Sequence, residues 1–121
     1  MNLNQITIPS LNMEKYILFY QELGLKFIVK SLPHYARFKC QAGNSTFSLY
    51  QVDQLPMGNG IIIYFKCDNL DHYVNELLGK GFEFEELPNY KNWLWHEAHT
   101  KDLDENHLIL YYAGENRLNS P

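Results

Sequence analysis

The chain has 121 residues, the size of one domain rather than two with full cores. Its 45% apolar and 20% charged residues describe a globular protein and not a disordered one. Lys and Arg number 10 against 14 Asp and Glu, a formal net charge of −4 without any basic cluster, so neither nucleic acid nor a membrane is an expected partner.

In chain order, the first predicted strand covers residues 5–8 and is followed by a helical pattern opened by Asn12. There an Asn side chain can accept from an orphan N–H of the first turn, and Glu14 meets the positive end of the helix dipole. Met13, Tyr16, Tyr20 and Leu23 fall on one face of that helix, and Gly24 ends it. Strands are predicted over 26–30, 35–40 and 46–51, then a linker over about 53–60 containing Pro56, Gly58 and Gly60. A second series follows. It has a strand at 61–65, a helix opened by Asn69 with Leu70, Tyr73, Val74 and Leu77 on one face, Gly81 at its end, and strands at 83–86, 93–99 and 107–112. The apolar run at 61–65 is the longest and far short of the about 20 residues a membrane span needs.

The two series are one unit repeated. A constant shift carries Ile6 onto Ile63, Asn12 onto Asn69, Tyr16 onto Tyr73, Gly24 onto Gly81 and Phe38 onto Trp95, and these match by role more than by letter. The expected architecture is α+β. Two tandem βαβββ modules, about 3–52 and about 61–118 in one domain spanning 1–121, form a curved mixed sheet around a central cavity with helices on the outer face. Strand alternation supports this, because one parity (Ile6, Ile8, Phe47, Leu49, Ile61, Ile63, Phe65, Leu108, Leu110) is wholly apolar and should lie under the helices. The other (Gln5, Thr7, Ser48, Tyr50, Ile62, Tyr64, Ile109, Tyr111) mixes polar, aromatic and aliphatic residues. Such a face either lines a cavity or is covered by another subunit.

The opening stretch 5–9, the "FY…LGL" turn at 19–25, the start of the second unit at 65–70 and the hairpin at 102–111 together resemble the vicinal oxygen chelate superfamily, also called the glyoxalase/bleomycin resistance/dioxygenase group. The resemblance spans about residues 3–118, and the tail at 114–119 is similar to those of metal-poor members. In the hairpin, Leu103 stands where the family has Pro and Glu105 where it has Gly. A positive φ is costly for Glu, and Asn106 is the other residue able to take it. Family enzymes hold a divalent metal through the first and fourth strands of each module. The resemblance puts those positions at Gln5, Ser48, Ile62 and Ile109. Two are hydrocarbon, Ser is a poor neutral ligand, and a single Gln cannot hold the ion, so no metal or other cofactor is expected and the enzymatic reactions of the family are disfavoured.

Among other chemistry-bearing residues, His96 and His99 point to opposite faces of one strand, and His107 shares parity with Ile109 and Tyr111. These three are the weak candidates for acid–base work, against a polar strand end as the ordinary reading. His72 reads as solvated, His34 as a loop residue beside Pro33, and Cys40 and Cys67 as reduced core thiols. The chain opens without a signal-peptide pattern, and a cytoplasmic location is expected. The leading expectation is a metal-free small-molecule-binding protein, similar to bleomycin resistance proteins and working as a homodimer. Its aromatic or cationic ligand would meet Gln5, Thr7, Ser48, Tyr50, Ile62, Tyr64, Trp93, Trp95, Ile109 and Tyr111. The alternatives are an enzyme of the superfamily (lyase, isomerase, hydrolase or dioxygenase-like) using other residues or a relocated metal, and a structural or regulatory dimer with a filled cavity.

Overall fold

The computed structural model describes residues 1–31, 33–58 and 60–118. Asn59 of the expected linker turn and Asn119 of the family-like tail therefore lie outside the described residues. The chain divides into two compact units, Met1–Gly58 and Asn59–Pro121. The first contains β1 (Gln5–Ser10), α1 (Met13–Leu23), β2 (Lys26–Ser31), β3 (Tyr35–Lys39) and β4 (Thr46–Gln51). The second contains β5 (Ile62–Lys66), α2 (Leu70–Gly79), β6 (Phe84–Tyr90), β7 (His96–Lys101) and β8 (His107–Tyr112), followed by a 3-10 turn at Gly114–Leu118. Each unit forms its own four-stranded mixed sheet, in the orders β1-β4-β3-β2 and β5-β8-β7-β6. In each, the first strand pairs in parallel with the fourth and the other pairs are antiparallel. The repeat of sequence roles is thus a repeat of topology.

In the first unit α1 lies against β2, β3 and β4. Tyr20 and Phe38 are fully buried, and the Tyr20 ring lies 4.5 Å from that of Phe47. All four residues expected on the inner helix face are buried. Asn12 caps the helix by accepting from the Lys15 N–H at 3.2 Å, and Gly24 closes it at φ 124. The second helix differs at its start. Asn69 is the N-cap residue but its side chain makes no capping bond, because its backbone (φ −119, ψ 70) departs from the extended conformation that presents a cap to the first turn. Among the described residues no helix is long and apolar enough to cross a membrane.

Besides shifts of one or two residues at other strand ends, two boundaries differ from the sequence reading in ways that bear on the site. Ile61 precedes β5 and is exposed, so it does not join the apolar face. Trp93 and Trp95 are not strand residues. β6 continues to Tyr90, and residues 91–95 form the hairpin tip, closed by the Lys91 N–H to the Trp95 carbonyl (2.9 Å) with Leu94 at φ 69. Pro88 is accommodated inside β6 because the register slips between Glu86 and Asn89, a bulge that needs no donor from the prolyl nitrogen. The longer hairpin also breaks the pairing of Phe38 with Trp95. By register Glu97, opposite Tyr111, takes the place of Tyr35, opposite Tyr50.

The family-like hairpin is held by Asp102, whose Oδ1 accepts from the backbone N–H groups of Asp104 (3.0 Å) and Asn106 (2.8 Å) while Oδ2 accepts from Asn106 Nδ2 (2.9 Å). Glu105 itself takes the left-handed conformation at φ 65, and Asn106 does not relieve it. Replacing Glu105 with Gly removes that steric cost. The expected gain is about 1 kcal/mol, or about 4 °C in Tm, read by thermal denaturation.

Both cysteines are free. Burial, reinforced by Asp68, pushes the Cys67 thiol up to about 11 from an ordinary 9.0. Since the folded value is the higher one, its contribution is complete below about pH 9 and is lost as pH rises through about 11, on the order of 2–3 kcal/mol. Urea titrations near pH 8 and near pH 11 should show Cys67→Ala losing less stability across that interval than the parent chain. An equal loss in both would contradict the assignment.

Candidate functional site

The polar face of the first unit is a row of side chains joined to one another. Thr46 Oγ1 donates to Gln5 Oε1 (2.5 Å), and Gln5 Nε2 donates to Thr7 Oγ1 and Ser48 Oγ (both 3.1 Å). Ser48, fully buried, shares a hydrogen bond with the Tyr35 hydroxyl (2.7 Å), which also accepts from Arg37 Nε (2.9 Å). Burial pushes the Tyr35 phenol up, but hydrogen bonds from Ser48, Arg37 and Gln5 and the guanidinium charge outweigh it and hold the phenol below its ordinary value. Tyr50, beside Tyr35 in register, is 41% exposed.

The second unit carries a different arrangement on the corresponding face. Glu97, on the central strand β7, is fully buried, and both of its carboxylate oxygens accept N–H groups: Oε2 from Trp93 Nε1 (2.6 Å) and Oε1 from His99 Nε2 (2.8 Å). Ring nitrogen Nδ1 of His99 is hydrogen-bonded to His107 Nε2 (3.1 Å) and lies 3.1 Å from Glu86 Oε2. Lys91 Nζ binds the other Glu86 oxygen at 2.5 Å. That bond, opposed by burial and helped by His99, holds the Glu86 carboxyl below its ordinary value. A buried carboxylate is tolerated only when paired and hydrogen-bonded, and Glu97 meets that condition.

Beside this chain stands an aromatic group. Trp95 and Tyr111 stack at 4.7 Å, and Tyr64 meets both rings edge-on at 5.9 and 5.6 Å. From the 3-10 turn, Arg117 places its guanidinium 5.3 Å from the Trp95 ring centroid and donates to the Tyr111 hydroxyl (3.1 Å). Trp95 Nε1 donates to the Asn116 carbonyl (3.1 Å). Burial and the Glu97 charge raise the Tyr64 phenol, so it stays a hydrogen-bond donor.

Among the expected site residues, Gln5, Thr7 and Ser48 come together in the first unit, and Tyr64, Trp95 and Tyr111 in the second. Trp93 reaches Glu97 from the hairpin tip. Ile109 and Tyr111 are buried, whereas Ile62 is 58% exposed and Tyr64 46%. Of the three candidate histidines, His99 and His107 meet. His96 lies apart, stacked on Tyr90 at 4.3 Å, with Asp71 3.9 Å away. His72 pairs with Glu76 on the α2 surface, and His34 is exposed in a turn. The sequence reading did not single out Glu97 and Glu86. The available signal was an acidic residue in a central strand, two positions before His99 and therefore on the same face.

The family model for the Glyoxalase/Bleomycin resistance protein/Dioxygenase superfamily matches residues 2–109. The chain belongs to this superfamily. Its fold is similar to that of a glyoxalase/bleomycin resistance protein/dioxygenase from Nocardioides (14% identity, covering 100% of this chain and 87% of that one, TM-score 0.76). It is equally similar to lactoylglutathione lyase from Agrobacterium tumefaciens (15%, 92% and 92%, 0.77) and to a bleomycin resistance determinant encoded on the transposon Tn5 (15%, 93% and 98%, 0.77). At these identities the likeness is one of fold. No curated protein matches the chain.

The positions that the resemblance assigns to a family metal are Gln5, Ser48, Ile62 and Ile109, and these residues do not fit one. The Gln5 amide is committed at both ends, Ser48 is buried against Tyr35, and the two Ile side chains have no donor atom. Among the described residues no group of three or more His, Cys, Asp or Glu could hold a metal ion elsewhere.

Proposed function

We propose that this superfamily member binds a small, partly aromatic organic molecule on the polar face of the second unit's sheet, without a metal at the family positions. The observation that carries this reading is the placement of exposed Ile62 and Tyr64 on the strand beside His107 and Ile109, next to a polar array anchored by buried Glu97. Apolar surface with a few oriented polar groups is what a small-molecule site needs. Arg117 already lies over Trp95, so the chain supplies its own cation to the aromatic group, which favours an aromatic guest over a cationic one. Glyoxalase and extradiol dioxygenase chemistry depend on a Lewis-acidic metal, for which the donor set at these positions is unsuited.

Thermal-shift screening with small aromatic compounds, followed by tryptophan fluorescence titration of the hits, tests this. A guest present at about 100 times its Kd should stabilise the chain by about 3 kcal/mol, and Tyr64→Ala should weaken binding about tenfold. The exposure of Ile62 and Tyr64 also favours a second reading, in which a further copy of the chain covers them in a homodimer. If sedimentation shows a dimer that Tyr64→Ala dissociates while no compound raises the Tm, the subunit contact replaces the binding site.

A further inference from the structure

We propose that Glu97, His99 and His107 form a proton relay that makes the outer ring nitrogen of His107, Nδ1, a base toward a weakly acidic aromatic guest such as a phenol. This inference rests on the binding site proposed above but is carried by a separate observation, the hydrogen-bond sequence running inward from His107 to a fully buried carboxylate.

For neutral imidazoles beside an ionised carboxylate, the donor inventory gives the direction of that sequence. Trp93 Nε1 can only donate, so it occupies Glu97 Oε2 as a donor. An ionised Glu97 can only accept, so His99 carries its proton on Nε2. In the neutral form of His99, which has the carboxylates of Glu97 and Glu86 at 2.8 and 3.1 Å, Nδ1 is a lone pair to which Glu86 cannot donate, so His107 supplies the proton between the rings from its own Nε2. His107 Nδ1 is left unprotonated. A buried carboxylate that orients one imidazole, which in turn orients the next, leaves the terminal ring with a lone pair to accept a proton.

The proton transfer balances without any co-reactant. A guest O–H bond breaks and an N–H bond forms at His107 Nδ1, while the proton on His107 Nε2 passes to His99 Nδ1. The positive charge settles on His99, between Glu97 (2.8 Å) and Glu86 (3.1 Å), and the guest keeps the electron pair as its phenolate. The neighbouring charges agree with this distribution. Lys91 is tied to Glu86, Lys101 (the register partner of His107 on β7) lies 3.7 Å from Glu85, and Lys66 on β5 pairs with Asp68 at 3.2 Å. Ile62 stands opposite His107 in register on β5, and Tyr64 faces Ile109, so an aromatic ring finds apolar surface next to the base. Glu97 and His99 are positioning residues in this scheme, and only His107 touches the guest.

The test uses 4-nitrophenol, whose phenolate absorbs visibly, and needs no knowledge of the natural guest. Bound to the parent chain, the probe should ionise with a midpoint about one pH unit or more below that of the free probe, a tenfold change in the ionised fraction. In His107→Gln and in Glu97→Gln that shift should vanish, and the affinity for the phenolate, read by fluorescence quenching, should fall with it by about the same tenfold factor. A shift of unchanged size in Glu97→Gln overturns the relay, as does a bound probe that stays neutral in the parent chain. Long-range proton–nitrogen NMR of the ligand-free protein provides the second measurement. It should find both imidazoles protonated at Nε2 at pH values where they are neutral, and a proton on His107 Nδ1 overturns the relay whether or not the probe binds. Failure of the probe to bind, with the tautomers as stated, counts against the binding site and not against the relay.

Discussion

Glu97→Ala is expected to destabilise the chain by about 2–4 kcal/mol, the largest effect of any single polar substitution in the second unit. The parent carboxylate is fully buried and satisfies two N–H groups, Trp93 Nε1 at 2.6 Å and His99 Nε2 at 2.8 Å. Alanine removes both acceptors and opens a cavity the size of the lost side chain, and the His99 donor is left without its partner in a site only 13% exposed. Glu97→Gln separates charge from shape. One carbonyl oxygen remains to accept, so a smaller loss of about 1–2 kcal/mol is expected. Urea unfolding followed by tryptophan fluorescence reads both variants. An alanine variant within about 0.5 kcal/mol of the parent would mean that water replaces the carboxylate at no cost, and the array would then have no structural anchor.

Asp102→Ala should cost about 2–3 kcal/mol and act on the hairpin rather than on the site. One carboxylate there holds three N–H groups across the turn, from the backbones of Asp104 and Asn106 and from the Asn106 side chain. Its loss leaves Glu105, at φ 65, without the contacts that impose its conformation. Combining Asp102→Ala with Glu105→Gly should therefore recover part of the loss, because glycine accepts the left-handed region unaided, and a double-mutant cycle measures the coupling. Simple additivity of the two changes would show that the carboxylate and the strained residue act separately. Amide exchange of the residues between β7 and β8 should quicken in Asp102→Ala and leave α2 untouched.

The duplication, the two helices and the apolar sheet face were all legible along the chain, because each rests on a local period. Met13, Tyr16, Tyr20 and Leu23 fall a helical turn apart and all four are buried, and Ile8, Phe47 and Leu49 share one parity of their strands and are buried as well. That Ile62 and Ile109 have no donor atom is read directly from their side chains, wherever the fold puts them. The opposite orientations of His96 and His99 also followed from spacing, and the two do find different partners.

What the tertiary structure alone decided is who meets whom across strands. The extent of β6 and the five-residue hairpin tip removed Trp93 and Trp95 from the strand and set the β6–β7 register, and with it the approach of Glu86 and Lys91 to His99. The β7–β8 register brought His99 within 3.1 Å of His107 and turned two separately weak histidines into one array closed by Glu97. Pairing register depends on bulge position and loop length, and a shift of one residue exchanges the faces of a whole strand. Periodicity cannot supply that information, because it says which side of a strand a residue occupies but not which residue lies across from it.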